Sequence, residues 1–287
     1  MPSTVTLIQR ILSAAATMAP QDARRVLALI CEAGTSEGAQ HYAKRAKFIK
    51  RMKHACDRTL DYAKHETLRK IEKHFRKALT SAEGDPGSVA VRLTFKKKDF
   101  SEELLAALRE ETLLALQAAG QNLFTELGRD DPWTMPGDLA LGFLDTRENL
   151  LSNVPDEIHA DIMRSIEEGL NAGETRKQLM TRISTAFDEI KKSRAETIAN
   201  TETAAAFNYA RDKAMREAGV THKRWLHSQS PLIKEPCPTH VAADGQIVPI
   251  DEPFDIGGVP MMRPGDESAG PDEIINCHCV AIPVEAP

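Results

Sequence analysis

The sequence has few aromatic residues and no long apolar run, and both absences restrict the class of protein. Phe, Trp and Tyr make up 5% of the 287 residues, so aliphatic side chains and alanine must fill most of the interior, which favours helices. No stretch approaches the roughly 18 consecutive apolar residues of a membrane-spanning helix, so we expect no membrane contact. No basic segment precedes the apolar residues of the first twenty positions, which argues against a secretory signal peptide.

Motifs of several enzyme classes are also missing. The sequence contains neither the phosphate-binding patterns G-x-x-x-x-G-K-[ST] and G-x-G-x-x-G nor the hydrolase patterns G-x-S-x-G and H-E-x-x-H. An odd number of cysteines in a chain of this length is untypical of a secreted disulfide framework, so we expect synthesis in a reducing cytoplasm. The cysteines are Cys31, Cys56, Cys237, Cys277 and Cys279.

The first part of the chain is predicted to be helical and to contain one unusually long helix. Apolar side chains recur at spacings of three, four or their sums over residues 38–79, and after Gly38 at its start this range contains neither Gly nor Pro. Such a helix would be about 60 Å long, which exceeds the needs of a compact domain and indicates a stalk, an arm or a bundle element. Turn-forming residues follow at 81–88, and a second helix begins at Ser101 and runs to about Gly120 or Gly128.

The C-terminal part is predicted to combine helices with a small, irregular β region. Gly and Pro at 131–138 break the helical pattern, and after Gly219 the chain consists of short β-prone segments around a loop at 255–272. A loop of that length needs a tether. We therefore predict an α+β fold in three regions, residues 1–86, 87–150 and 151–287. The elements predicted for the last region are helices over 155–170, 174–187 and 193–219, the third opened by a capping box of Ser193 and Glu196, and strands over 223–226, 246–250 and 280–284.

Two clusters of metal-binding side chains stand at the ends of that loop. Cys237 and His240 precede it, and Cys277 and Cys279 follow it. Three thiolates and one imidazole complete a tetrahedral zinc site, so these four residues are the candidate ligands of a structural zinc ion. Two alternatives stay open: the thiols are buried and free, or Cys237 forms a disulfide with Cys277 or Cys279. Such a disulfide would contribute roughly 3 to 4 kcal/mol to stability.

An enzymatic interpretation uses overlapping residues. A metal held by His240, Asp244 or His278 would activate water for phosphodiester cleavage, as in HNH-type nucleases. Those nucleases need a strand–loop–helix unit, and no helical pattern follows Cys279. We therefore expect no catalytic residues and no enzyme, with a metal-dependent nuclease acting on DNA as the alternative function.

The predicted long helix is strongly basic. Residues 38–79 contain 13 Lys and Arg against 4 Asp and Glu, a net charge of +9 in a chain whose net charge is -5. Such a cluster binds DNA by neutralising phosphates, without sequence specificity, whereas a solvated face or a contact with an acidic protein partner is the alternative. The helix also carries His41, His54, His65 and His74, which we expect on the surface. The candidate contact residues are Lys44, Arg45, Lys47, Lys50, Arg51 and Lys53.

From about residue 155 onward the sequence resembles the phage Mu F-like minor head protein family, also called head morphogenesis proteins. Members of the family often have Cys-x-x-Cys where this chain has Cys237-x-x-His240, and arginine where it has His278. His240 is a competent zinc ligand, so the first difference keeps a metal site feasible, whereas His278 adds a competing ligand. The similar blocks are 194–208 with its Thr-Glu pair and alanine-rich turn, Gly219, Trp225, Cys237 with Asp244-Gly245, and Pro264-Gly265-Asp266 leading to 275–279.

The resemblance implies a structural component of a tailed phage or prophage rather than an enzyme. Such a protein would be synthesised in the bacterial host cytoplasm and incorporated into the virion in few copies, at the portal vertex or inside the head. Its expected partners are the portal protein, other head proteins and packaged double-stranded DNA. Its expected roles are head morphogenesis and DNA packaging or ejection. A host-encoded DNA-binding scaffold is a third interpretation.

Overall fold

The computed structural model describes residues 37–78, 85–228 and 237–286. Cys31 and the N-terminal segment considered for a signal peptide lie outside the described residues. Within these ranges the chain is mostly helical with a few short antiparallel strands, so the predicted α+β fold is confirmed. None of the helices in the described ranges combines the length and the apolar character that crossing a membrane requires.

Helices form the main body of the protein. In chain order they are α1 (Glu37–Ala78), α2 (Pro86–Leu93), α3 (Lys97–Glu126), α4 (Gly137–Leu151), α5 (Val154–Asn171), α6 (Arg176–Ile190), α7 (Glu196–Glu217), α8 (Pro238–Ala242) and α9 (Pro271–Ile274). The long helix α1 matches its prediction closely, and it is a bundle element because it packs against α3, α6 and α7. A stalk or a free arm over residues 37–78 is therefore wrong.

Three local predictions differ from the structure. Ser193 is not a helix cap, because α6 continues through a π-helical turn at Lys191–Ala195 into α7, and the Ser193 hydroxyl donates to the carbonyl of Glu189. Helix α2 begins inside the segment predicted as a turn, where the Asp85 side chain caps it. Helix α4 was not predicted, since its buried side includes the charged Arg147 among apolar residues.

The strands form two small antiparallel sheets. They are β1 (His222–Leu226), β2 (Ile247–Pro249), β3 (Phe254–Ile256), β4 (Val259–Met261) and β5 (Val280–Val284). The three predicted strands are confirmed as β1, β2 and β5, which pair in the order β2-β1-β5. The predicted loop over 255–272 is partly wrong, because β3 and β4 form a hairpin. Its turn consists of Gly257 and Gly258, whose positive φ angles of 63° and 91° suit a two-residue turn.

Two buried cores hold these elements together. One lies between the β region, the second half of α3 and most of α7, and it includes Phe48 of α1. The other lies between α1, α2, the first half of α3, α5 and α6, and it includes Ala199 of α7. Helices α1, α3 and α7 contribute to both cores, so the packing crosses the boundaries predicted near residues 86 and 150.

Candidate metal centre and basic surface

The two predicted ligand clusters meet beside the three-stranded sheet. Cys277 and Cys279 precede β5, and the pairing of β5 with β1 carries them to His240 on α8. The Nδ1 atom of His240 lies 3.6 Å from the sulfur of Cys277 and 3.6 Å from the sulfur of Cys279. All three side chains are buried, and Trp225 of β1 packs edge-on against the imidazole. The structure therefore assembles a group of two sulfurs and one nitrogen that faces inward.

Glu273, which the sequence reasoning missed, orients the imidazole. Its Oε2 lies 2.9 Å from Nε2 of His240 and accepts a hydrogen bond from Thr239 Oγ1 at 3.1 Å. A carboxylate on one ring nitrogen leaves the other nitrogen as the free ligand atom, the usual arrangement behind metal-bound histidines. The position of Glu273, four residues before Cys277, was the only signal available in the sequence.

Cys237 lies at the margin of the group. Its sulfur is 3.0 Å from Thr239 Oγ1, and it lies within 4.8 Å of ligand atoms of His240 and Glu273. The two sulfurs nearest the imidazole Nδ1 are those of Cys277 and Cys279, so the structure brings three of the four predicted ligands into one group. All four cysteines in the described ranges, the fourth being Cys56, are free thiols.

Side chains from two helices hold the backbone around Cys277 and Cys279. Arg45 of α1 donates to the carbonyls of His278 and Cys279 and is 2% exposed. The amide of Asn208 on α7 donates to the Cys279 carbonyl and accepts from the Ala281 N–H, both within 3.2 Å. Arg45 was predicted to contact a partner, and its burial corrects that prediction, because the guanidinium is enclosed and fixes the segment that carries the thiols.

The thiols and the imidazole shift each other's protonation. The hydrogen bond from Cys279 holds the pKa of Cys277 well below its usual range, with the neighbouring His240 acting in the same direction. Burial, followed by the hydrogen bond to Cys277, raises the pKa of Cys279. Burial alone would lower the pKa of His240, but the Cys277 thiolate raises it to about 9. The protonation of each of these three side chains therefore depends on the other two.

The residues of the nuclease alternative do not converge. Asp244 Oδ1 accepts the backbone N–H of His227 at 2.8 Å, in the turn before Gly245. Burial, with a smaller contribution from Arg45, lowers the pKa of His278 to about 4. In the described part of the chain, the groups with metal-ligand geometry around His240 contain cysteines and Glu273, and neither Asp244 nor His278. This geometry gives the nuclease no support.

Three of the six predicted basic contact residues form ion pairs within the protein. Lys44 pairs with Glu126, Arg51 with Glu111 and Lys53 with Asp57, at 2.6 to 2.9 Å. Lys47 and Lys50 are exposed. The expected surface position of His41 is wrong, because its side chain is 10% exposed and burial, with Arg211 nearby, lowers its pKa to about 3.

Several of the other basic side chains of α1 lie in one exposed row. Its members are spaced by three, four or seven residues, so they share one side of the helix, over about 33 Å from first to last. Among the residues described, none of its lysines and arginines forms an ion pair. We call this row the basic stripe, and it consists of Lys47, Lys50, His54, Arg58, His65 and Arg69.

The structure is a helical bundle packed against a small β region that contains a buried Cys–His cluster, and comparisons with known proteins show what it resembles. Residues 156–282 match the family model described as phage Mu protein F like protein. This part of the chain is therefore similar to that family, which confirms the resemblance predicted from the sequence.

A relative extends the similarity beyond the family region. The uncharacterized protein YqbB of Bacillus subtilis (strain 168) is 25% identical over 198 residues, which are 66% of this chain and 63% of YqbB. The chain thus spans less than two thirds of that relative. No solved structure matches the chain significantly.

The family blocks have structural explanations. Thr201 Oγ1 accepts the backbone N–H of Asn276, and Glu202 forms a buried ion pair with Arg147. Asn208, at the end of the same block, binds the Cys279 segment. Gly265 of the Pro-Gly-Asp block has a φ of 74°, and a Cβ there would lie 3.1 Å from Ala205 Cα. The residues that carry the resemblance therefore join α7 to the C-terminal segments.

Proposed function

We propose that this protein is a minor head protein of a tailed phage or prophage, present in few copies at the portal vertex or inside the head. The family match over residues 156–282 carries the proposal. The bundle and the β region support a structural role, since the buried polar contacts described above connect elements of the fold. The protein acts in head morphogenesis and DNA packaging or ejection, without catalysis of its own.

Composition of purified particles tests this role. DNA-filled particles should contain the protein at a few copies per portal when quantified by mass spectrometry against the portal and major capsid proteins. The same measurement on empty heads, assembled without DNA, separates the two roles. A protein of head assembly should be present in them, whereas a protein that enters with the DNA should be absent. Recovery of the protein only in the soluble lysate, with none in particles, would contradict the proposal.

The basic stripe is the surface we propose for packaged double-stranded DNA. Lys44, Arg51 and Lys53 are engaged by carboxylates, and Arg45 is buried, so the exposed cations of the stripe remain available to phosphates. A row of about 33 Å matches the scale of one turn of DNA. Portal and head proteins would then contact other faces of the bundle.

Charge reversal on the stripe should weaken DNA binding through its salt dependence. In Lys47→Glu/Lys50→Glu/Arg58→Glu, we expect at least tenfold lower affinity at low salt and a log–log salt slope reduced by about 0.9 for each phosphate that the protein no longer neutralises. The matched control is Arg92→Glu/Lys177→Glu/Lys192→Glu, which changes the net charge equally at exposed positions outside the stripe. Fluorescence anisotropy with a short duplex measures both. Equal decreases in affinity for the two variants would show that net charge, not the stripe, governs binding.

A further inference from the structure

We propose that His240 Nδ1, Cys277, Cys279 and Cys237 bind one structural zinc ion. The distances support this assignment. With Zn–N near 2.0 Å and Zn–S near 2.3 Å, tetrahedral geometry separates a nitrogen ligand from a sulfur ligand by about 3.5 to 3.6 Å. His240 Nδ1 lies 3.6 Å from each of the two sulfurs. The imidazole nitrogen thus already has the spacing from both sulfurs that zinc imposes.

The surroundings of the ligands match those of a closed metal site. Glu273 binds Nε2 of His240 and so directs Nδ1 toward the sulfurs, as carboxylates behind zinc-bound histidines do. His240, Cys277 and Cys279 are between 1% and 4% exposed. Structural zinc sites are closed in this way, whereas catalytic sites keep a position open for water or substrate.

Cys237 is the fourth ligand. It occupies the N-cap position of α8, three residues before His240, and its sulfur lies within 4.8 Å of ligand atoms of His240 and Glu273. A shift of this sulfur toward Cys277 and Cys279 would complete the tetrahedron. Three thiolates around Zn²⁺ leave a net charge of -1, and Arg45, at the carbonyls of His278 and Cys279, offsets it. The ion would thereby connect α8 with the segment before β5, and Arg45 connects that segment with α1. This assignment does not depend on the role in a phage head.

Metal analysis of the full-length protein tests the site. Purified under reducing conditions and dialysed against zinc, the protein should contain one zinc per chain by inductively coupled plasma mass spectrometry. Cys279→Ser should lose it. Cys56→Ser is the matched control, because Cys56 is a buried thiol in the other core and should leave the zinc content unchanged. Absence of zinc from the wild-type protein, or retention of zinc in Cys279→Ser, would overturn the assignment.

Substitution by Co²⁺ identifies the ligands individually. The wild-type protein should show the intense visible bands of tetrahedral Co²⁺ and the near-ultraviolet bands of thiolate ligation. Cys237→Ser should lower the thiolate band by about one third, as expected when one of three thiolate ligands is removed. An unchanged band would remove Cys237 from the site.

Two measurements do not require the cysteine variants to fold. Glu273→Gln keeps the ligands but weakens the orientation of His240, so zinc affinity should fall by about 10- to 100-fold. In the wild-type protein, zinc should protect the thiols from an alkylating reagent, and a chelator should expose them and lower the melting temperature by about 5 °C or more. Unchanged thiol reactivity with and without zinc would show that hydrogen bonds alone hold the cluster.

Discussion

Replacing Arg147 with alanine should destabilise the protein by about 3 to 5 kcal/mol, because it leaves the buried carboxylate of Glu202 without a partner. Arg147 of α4 donates two hydrogen bonds to Glu202 of α7, at 2.8 and 2.6 Å. The two side chains are 4% and 3% exposed. The carboxylate keeps its buried position but loses its cationic partner, so its desolvation cost appears in the unfolding free energy.

The neighbouring pair Arg109–Glu148 is the control for this effect. It joins α3 to α4 at 2.7 Å, but both side chains are 35% exposed, so Arg109→Ala should cost less than about 1 kcal/mol. Urea unfolding followed by circular dichroism measures both. Arg147→Met/Glu202→Leu, which removes both charges, should recover much of the stability. Equal costs for the two single alanine variants would show that Arg147–Glu202 behaves as a surface pair.

Alanine should have opposite effects at two helical glycines. Gly120 lies inside α3 against the buried ring of Trp133, and a Cβ there would lie 2.1 Å from two ring atoms. We expect Gly120→Ala to cost about 1 to 3 kcal/mol or more, because the ring has no space into which to move. Gly142 lies inside α4 with open space around it, so Gly142→Ala should stabilise the protein by about 0.5 to 1 kcal/mol.

The same denaturation experiment measures both glycine variants, and the sign of each change is the result of interest. Trp133 is fixed by hydrogen bonds from its ring N–H to Glu217 and between its backbone N–H and Gln121. These contacts keep the ring over Gly120. If Gly120→Ala were neutral, the Trp133 loop would have to pack differently from the arrangement described here.

The C-terminal end of α3 shows why glycine alone does not locate a helix boundary. Gly120 was a candidate end of the second helix, since glycine commonly follows the last helical turn. The structure continues to Glu126, and the glycine is present because Trp133 contacts the helix there. A glycine in a helical pattern can mark either the end of the helix or a close contact inside it. Here the contact with Trp133, 13 positions further along the chain, shows that it is the second case.

Features that depend on local spacing could be predicted from the amino-acid sequence alone. These features are the long helix α1, the strands β1, β2 and β5, and the blocks that resemble the family. They could be predicted because periodicity and motif order are properties of residues close together in the sequence. The four candidate zinc ligands could be named in the same way, since ligand types and spacing are local as well.

Which charges are free depends on the tertiary structure. Basic residues of the same helix have different environments. Distant elements bury Arg45 and supply Glu126 as the ion-pair partner of Lys44, whereas Lys47 is exposed. The set of exposed basic residues in the structure, the basic stripe, therefore differs from the predicted DNA-binding cluster. The hydrogen bond by which Glu273 orients His240 is likewise visible only in the structure. Burial and ion pairing depend on neighbours far apart in the chain, and a single sequence does not record those neighbours.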